Sequence, residues 1–336
     1  MEERIKQRYS KAVLEEARSC YGIHPDQIRL LDGFESFMYE FDRDGKAYIL
    51  RLSHSLRRTA DLICGEVDWI NYLAAGGVPV ASAVESANGR LVEHIDDGQG
   101  GSFLATAFIK ARGRHPVKSD WTSDFCLSYG RILGRIHALS KRYNPAEPAW
   151  RRPHWDDPVM LEVERFLPAS DKGIVERYRT LLDHLGTLPR TDQASYGLIH
   201  QDAHAGNLLL ADDGTITLFD FDDCVYSWYV NDIAIVLFYA VIGRDDEQAF
   251  TRWFLPRFLE GYVSETSLEG YRLREIPHFL KLREIDLYAV IHRSFDVHNL
   301  EDPWCTRFMK NRRRRIEDGV AYLDFDFDSL AKGLIG

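Results

Sequence analysis

Apolar positions recur at helical spacing along residues 5–21, where Ile5, Tyr9, Val13 and Ala17 fall roughly on one face and predict an amphipathic helix. The pattern then tightens into strands. Ile28–Leu31 and Phe37–Phe41 are short runs rich in aliphatic and aromatic residues. Ala47–Leu52 is a stronger strand, entered through the turn Asp42-Arg43-Asp44-Gly45. Helical spacing resumes from Thr59 to Ala75 and stops at Gly76-Gly77, as a glycine C-cap does. Val78–Ser86 and Arg90–Ile95 flank Asn88-Gly89, a hairpin signal, and Phe103–Ile109 completes an antiparallel sheet of about five strands.

From residue 111 the pattern is mostly helical. Asp124–Ser140, Lys172–Leu185, Ile233–Ile242, Glu247–Tyr262 and Ile276–His292 all carry helix-period apolar positions. Leu208–Leu210 and Thr215–Asp220, joined by Asp212-Asp213-Gly214, read as a β-hairpin set among these helices. No internal repeat or low-complexity segment is present. The expectation is an α+β chain of two lobes. Residues 1–110 form a small lobe of strands plus helix, and residues 111–336 a large, mostly helical lobe that carries the hairpin. The segment Lys-Ala-Arg-Gly-Arg-His-Pro, residues 110–116, is the hinge, with a cleft beside it.

A length of 336 residues suits two such lobes better than one core. The net charge of −10 argues against a nucleic-acid partner and favours neutral or cationic small molecules. Cys20, Cys64, Cys126, Cys224 and Cys305 are scattered without a paired spacing, so neither a zinc site nor a disulfide framework is expected. Scattered thiols suit a reducing cytoplasm. The polar start lacks the apolar core of a signal peptide, and the apolar run Ile233–Ile242 is too short to span a bilayer. Oligomeric state is left open.

The chemistry concentrates in His200-Gln201-Asp202-Ala203-His204-Ala205-Gly206-Asn207, just before the hairpin, and in Asp220-Phe221-Asp222 at its end. Asp202 stands two residues after His200 and five before Asn207, the spacing of a kinase catalytic loop, H-x-D-x-x-x-x-N, which a short hairpin links to D-F-G. Phosphoryl transfer needs a carboxylate within reach of the attacking hydroxyl, a role that fits Asp202. The magnesium that accompanies ATP wants oxygen ligands, which Asn207 and Asp220 supply. His200 braces the loop. A zinc reading of His200, Asp202 and His204 leaves Asn207 and the distance to Asp220 unexplained; His204 is read as a loop-packing residue.

This segment resembles the aminoglycoside phosphotransferase and choline kinase superfamily, relatives of the protein kinases. That superfamily usually has H-G-D-x-H-x-x-N, and here Gln201 takes the glycine position. Asp222 stands where protein kinases have glycine, as is common in the superfamily. The resemblance covers nearly the whole chain in layout, with its specific motifs inside residues 200–222. It implies a protein-kinase-like fold and ATP- and Mg2+-dependent transfer to an alcohol group. Tyr48-Ile49-Leu50-Arg51 falls where a kinase has V-A-I-K. Ile49 and Arg51 share a strand face, placing Arg51 toward the ATP phosphates and Ile49 under adenine; the alternative is a surface arginine on an edge strand. Glu66 on the next helix is the natural partner of Arg51, in competition with Asp61 and Asp68. Gly33 and Ser36, in the loop between the first two strands, either bring donors to phosphate or form an ordinary turn. By resemblance alone, Ala107–Ile109 present backbone groups to adenine.

No A-P-E follows, and only ten positions separate Asp222 from Asp232, too few for a peptide-docking segment. The expected acceptor is therefore a small hydroxylated metabolite or antibiotic, with or without an amine. Aminoglycoside, choline-like amine, homoserine and sugar all remain open. Asp223, Trp228, Tyr229 and Asp232 are candidates to hold an ammonium group, although Asn231-Asp232 reads better as a helix N-cap. Glu284 and Asp286 are further acidic candidates. Asp324-Phe325-Asp326 repeats the D-F-D string with no H-x-D loop before it, and Arg312–Arg315 reads as a solvated helix face. A protein Ser/Thr kinase and a non-catalytic nucleotide-binding scaffold are the alternative functions.

Overall fold

The computed structural model describes residues 2–161 and 163–333. The chain divides into two units. One contains the chain through Arg114 with Tyr143–Arg152 and Leu209–Asp222; the other contains His115–Arg142, Pro153–Leu208 and the chain from Asp223 onward.

In the first unit the predicted opening helix is two, α1 (Glu3–Lys6) and α2 (Lys11–Tyr21). Ser10 divides them, because its hydroxyl accepts the Val13 amide as an N-cap. The strands β1 (Ile28–Leu31), β2 (Phe37–Arg43) and β3 (Lys46–His54) follow, with α3 (Ala60–Ala75) after them. Next come β4 (Ala83–Val84), β5 (Glu93–Asp96) and β6 (Ser102–Ile109). The β2–β3 turn places Asp44 and Gly45 at φ 53° and 73°, the left-handed pair a tight hairpin needs.

All pairings in this sheet are antiparallel, in the order β1-β2-β3-β6. The hairpin expected around Asn88-Gly89 does not form. A tight turn is present, with the Gly89 amide donating to Ser86 O. However, β4 and β5 pair with β6 rather than with each other, end to end along its free edge. The sheet thus has six strands in five positions.

Strand alternation sorts the two faces. Tyr48, Leu50 and Leu52 join Phe41, Phe103 and Ala105 in a core closed by Val13, Ala17 and Tyr21 of α2. Each large apolar side chain buried there contributes about 1.5–3 kcal/mol. The opposite face carries Arg51 toward α3. On α3, Gly65 lets the Trp150 carbonyl approach so closely that a Cβ would lie 2.0 Å from it, which is how Tyr143–Arg152 packs into this unit. The hairpin β8 (Leu208–Leu210) and β9 (Ile216–Leu218) is edged by a bridge from Leu218 to Val80.

The second unit is built from α4 (Ser123–Ser140), α5 (Val163–Phe166), α6 (Lys172–Gly186), α7 (Tyr229–Val241), α8 (Glu247–Val263) and α9 (Ile276–Ser294). Three short helices close it: α10 (Pro303–Met309), α11 (Arg312–Glu317) and α12 (Phe327–Gly333). Gly130 and Gly134 on α4 and Gly261 on α8 face backbone carbonyls of the partner helix, so the two helices meet backbone to backbone. A two-stranded ladder pairs β7 (Tyr196–Ile199) with β10 (Val225–Trp228), on either side of residues 200–224 in the chain. Both strands are buried throughout and lack the alternation that marks a strand in sequence. No helix among the described residues is long and apolar enough to cross a membrane.

Candidate active site

In the helical unit, β7 ends at Ile199 and delivers His200, Gln201 and Asp202 in succession. Asp232 pins this turn. Its side chain is fully buried and accepts the amides of His200 and Gln201, each at 2.8 Å. It also accepts from His137 Nε2 at 3.1 Å. Asp232 is therefore not the helix cap expected from its neighbours: it lies inside α7, whose N-cap is Trp228. Trp228 and Tyr229, candidates to hold an ammonium group, are both interior. Trp228 donates to Pro189 O, and Tyr229 packs on the His137 ring.

Gln201 sits at φ 69°, a conformation in which glycine is at home. Its Oε1 accepts from Asn231 Nδ2 at 2.9 Å, which offsets part of the backbone cost. The loop geometry is thereby kept with a side chain in place of glycine.

Asp202 receives the Asn207 amide twice, on its carbonyl at 3.0 Å and its carboxylate at 2.8 Å. With that nitrogen spent on Asp202, the Asn207 amide oxygen is the group left for a cation. The other Asp202 oxygen binds Arg283 of α9, which also donates to the Tyr239 hydroxyl at 2.7 Å. Burial raises the Asp202 pKa, but Arg283, His204 and His200 more than offset it and hold the carboxyl well below the usual range. His200 is fully buried, and its Nδ1 accepts the Asp202 amide at 3.3 Å, a bracing contact. His204 Nδ1 accepts the Gly206 amide, and its ring lies against Tyr239.

Around this loop are two cavities. One, of about 40 Å³, is lined by Trp155, Met160, Tyr178, Leu282, Gln201 and Asp286. Burial pushes the Asp286 carboxyl up to about 7, with Arg283 opposing. The other, of about 470 Å³, has Tyr239 on its wall with Trp121 and Arg244. Glu284 faces neither. It is fully buried between Lys281 and Arg312. Arg312 is accordingly no part of a solvated face, whereas Arg313 and Arg314 pair along the helix with Glu317 and Asp318.

In the sheet-bearing unit, Arg51 makes two parallel hydrogen bonds to Glu66, at 2.8 and 2.7 Å, with both side chains buried. Asp68 is engaged elsewhere, with Tyr143. Among the described residues the buried Nε of Arg51 finds no hydrogen-bond partner. Asp220 sits at φ 65° at the end of the hairpin and adds to the negative field that holds Arg51 charged. Asp222 is gripped by Arg57 and Arg58, while Arg152 donates to its carbonyl at 2.7 Å. Burial raises the Asp222 pKa, and this arginine cluster overrides it and holds the group ionised. Sequence reasoning missed this anchor, whose signal is the adjacent Arg57-Arg58 pair.

Gly33 turns so tightly that a Cβ would lie 2.3 Å from Ser36 O, and Ser36 Oγ is buried 3.0 Å from Ser53 Oγ. Ile49 is half-buried beside the ladder residue Phe108. Ala107 is buried, and the Ile109 amide donates to Ser82 O.

A profile of the phosphotransferase enzyme family matches residues 26–276. The chain is 39% identical over 326 residues to the amicoumacin kinase of Bacillus subtilis (strain 168), covering 96% of each protein. Its fold is similar to the solved amicoumacin kinase hAmiN in complex with AMP-PNP, Ca2+ and Ami, with a TM-score of 0.92 and 36% identity over 98% of this chain and all of that one. A microcompartment-associated aminopropanol kinase shares the fold at a TM-score of 0.71 and 23% identity, covering 94% of this chain and 100% of that one.

Proposed function

The chain belongs to the phosphotransferase enzyme family, and from that premise we propose how this ATP-dependent small-molecule kinase works and what it phosphorylates. The acceptor is the hydroxyl of an amine-bearing antibiotic of the amicoumacin type. The near full-length similarity to amicoumacin kinases supports this acceptor. The observation that carries the chemistry is the pinned loop with its ionised Asp202.

Asp202 takes the hydroxyl proton as the acceptor oxygen attacks the γ-phosphorus. Arg51, held by Glu66 and with one buried N–H unspent, meets the phosphates. Gly33, Ser36, Ile49, Ala107 and Ile109 are assigned to the nucleotide side. Mg2+ fits the hard oxygen donors of Asp220 and Asn207, and when bound it neutralises charge on the transferring phosphate. Asp220→Ala is expected to lower turnover about 10²–10³-fold, the cost of losing one electrostatic stabiliser, while leaving the melting temperature unchanged. Full activity in that variant, assayed across a magnesium titration, would remove Asp220 from the metal.

The cavity of about 470 Å³ beside Tyr239 is in the range for drug-sized ligands. Asp286 lines the smaller cavity of about 40 Å³, which has room for an ammonium group alone, and supports an ammonium-bearing acceptor because an ammonium favours the ionised carboxylate. Free Asp286 titrates near 7, above an unfolded value of roughly 3.9. Its ionised fraction therefore grows as pH rises from 6 to 8, and KM for the amine should fall by up to about tenfold over that window. By the same sign, the contribution of Asp286 to the stability of the free protein is full below roughly 3.9 and is lost as pH rises through 7. Asp286→Asn should flatten both dependences; a KM profile that keeps its slope would free Asp286 of this role.

The deciding experiment is transfer from ATP to amicoumacin, with spectinomycin, choline, aminopropanol and homoserine assayed in parallel. Phosphorylation of another acceptor but not of amicoumacin would sink the proposed substrate.

A further inference from the structure

Glu275 and His278 are three residues apart at the start of α9, so they share one face of the helix. His184, in the last turn of α6, meets them there. Its Nε2 lies 3.0 Å from Glu275 Oε2, and His278 Nδ1 lies 3.1 Å from the same oxygen. The two imidazole rings are 4.0 Å apart and tilted by 35°. All three donor atoms fall within 4.8 Å of one another. Independently, His278 Nδ1 is sealed from solvent and, among the described residues, makes no well-formed hydrogen bond despite its closeness to the carboxylate.

We propose that His184, Glu275 and His278 form a binding site for a divalent transition ion, Zn2+ first among them. Two imidazole nitrogens and one carboxylate oxygen are the donors that suit zinc, cobalt and nickel, whereas magnesium prefers an all-oxygen octahedron. A tetrahedral zinc with bonds of about 2.0–2.1 Å needs its donors about 3.3–3.4 Å apart. Both edges at Glu275 are already within a few tenths of an ångström of that, and rotation of the half-exposed His184 closes the third. Water completes the shell. The residues are separate from those assigned to the phosphate-transfer metal, and they differ in donor type. The bound ion ties α6 to the helix that, eight residues further on, presents Arg283 to Asp202.

The test uses the full chain, stripped with chelator and free of nucleotide. Zn2+ is titrated by calorimetry, and Co2+ serves as a spectroscopic probe of coordination. The expected result is one equivalent bound, a visible cobalt spectrum of reduced coordination number, and a raised melting temperature. His184→Ala and His278→Ala should each lose at least about tenfold in affinity. Glu275→Gln keeps the shape of the cluster and should weaken binding without changing the metal-free melting curve. Asp220→Ala should bind Zn2+ as the parent does, which separates this site from the one for transfer. Absence of binding, or binding that persists unchanged in both histidine variants, overturns the proposal: the cluster is then only a hydrogen-bonded clasp between two helices.

Discussion

Asp202→Asn is expected to bind nucleotide as the parent does and to transfer phosphate about 10²–10⁴-fold more slowly, a barrier increase of roughly 3–5 kcal/mol. The substitution keeps the shape of the side chain and removes its charge and basicity. The loop should hold, since Asn207 also bonds the Asp202 carbonyl and Asp232 fixes the two preceding amides. Arg283 loses its anionic partner yet keeps the Tyr239 hydroxyl. The carboxyl is held well below its ordinary pKa by Arg283, His204 and His200, so an acid limb near neutral pH in the pH–rate profile belongs to another group. Its contribution to stability is present above the unfolded pKa and is lost only as pH falls through the depressed folded value. Single-turnover transfer with nucleotide affinity measured in parallel decides the matter. Transfer within a few-fold of the parent would mean that Asp202 is not the base.

The readable parts of this protein were those whose cause is local. Strand β1 runs over the residues its pattern predicted, and α3 starts after its Thr59 cap and ends at the glycine pair. The loop from His200 to Asn207 was legible because its chemistry is packed into eight consecutive positions. Failures came where two local rules were satisfied and a distant one prevailed. Asn88-Gly89 does make a turn, but strand pairing is decided by the available edge, and β6 offered it to both flanking segments. Arg283 is 81 residues from Asp202, and Arg152 is 70 from Asp222; nothing in the spacing of either announces the contact. Asp232 is the clearest case. Asn-Asp before an apolar run satisfies the capping rule, yet that run is buried on all sides, and a carboxylate inside it had to meet buried donors.

Asp232→Ala should accordingly destabilise the protein by roughly 3–5 kcal/mol, because each buried donor left without a partner costs about 1–3 kcal/mol. Three donors lose their acceptor at once: the amides of His200 and Gln201, and His137 Nε2. The His200 amide and His137 Nε2 cannot turn to water, since the carboxylate, His137 and His200 are all fully buried. His137 has little freedom to adapt. Burial lowers its pKa and keeps it neutral, with Nδ1 accepting from the Tyr262 hydroxyl at 2.7 Å and Nε2 donating to Asp232. Asp232→Asn should fare only partly better. Its oxygen can still receive one amide, but its NH2 turns a donor toward a donor. The second consequence is catalytic. Gln201 holds a left-handed conformation that the hydrogen bond from its backbone N–H to Asp232 helps to impose, and Asp202 follows directly. Turnover per folded molecule should therefore fall in both variants, with nucleotide affinity spared. Chemical denaturation gives the first quantity, and turnover normalised to the folded fraction gives the second. A denaturation midpoint matching the parent's, together with unchanged normalised turnover, would show that the ladder of β7 and β10 positions Asp202 without Asp232.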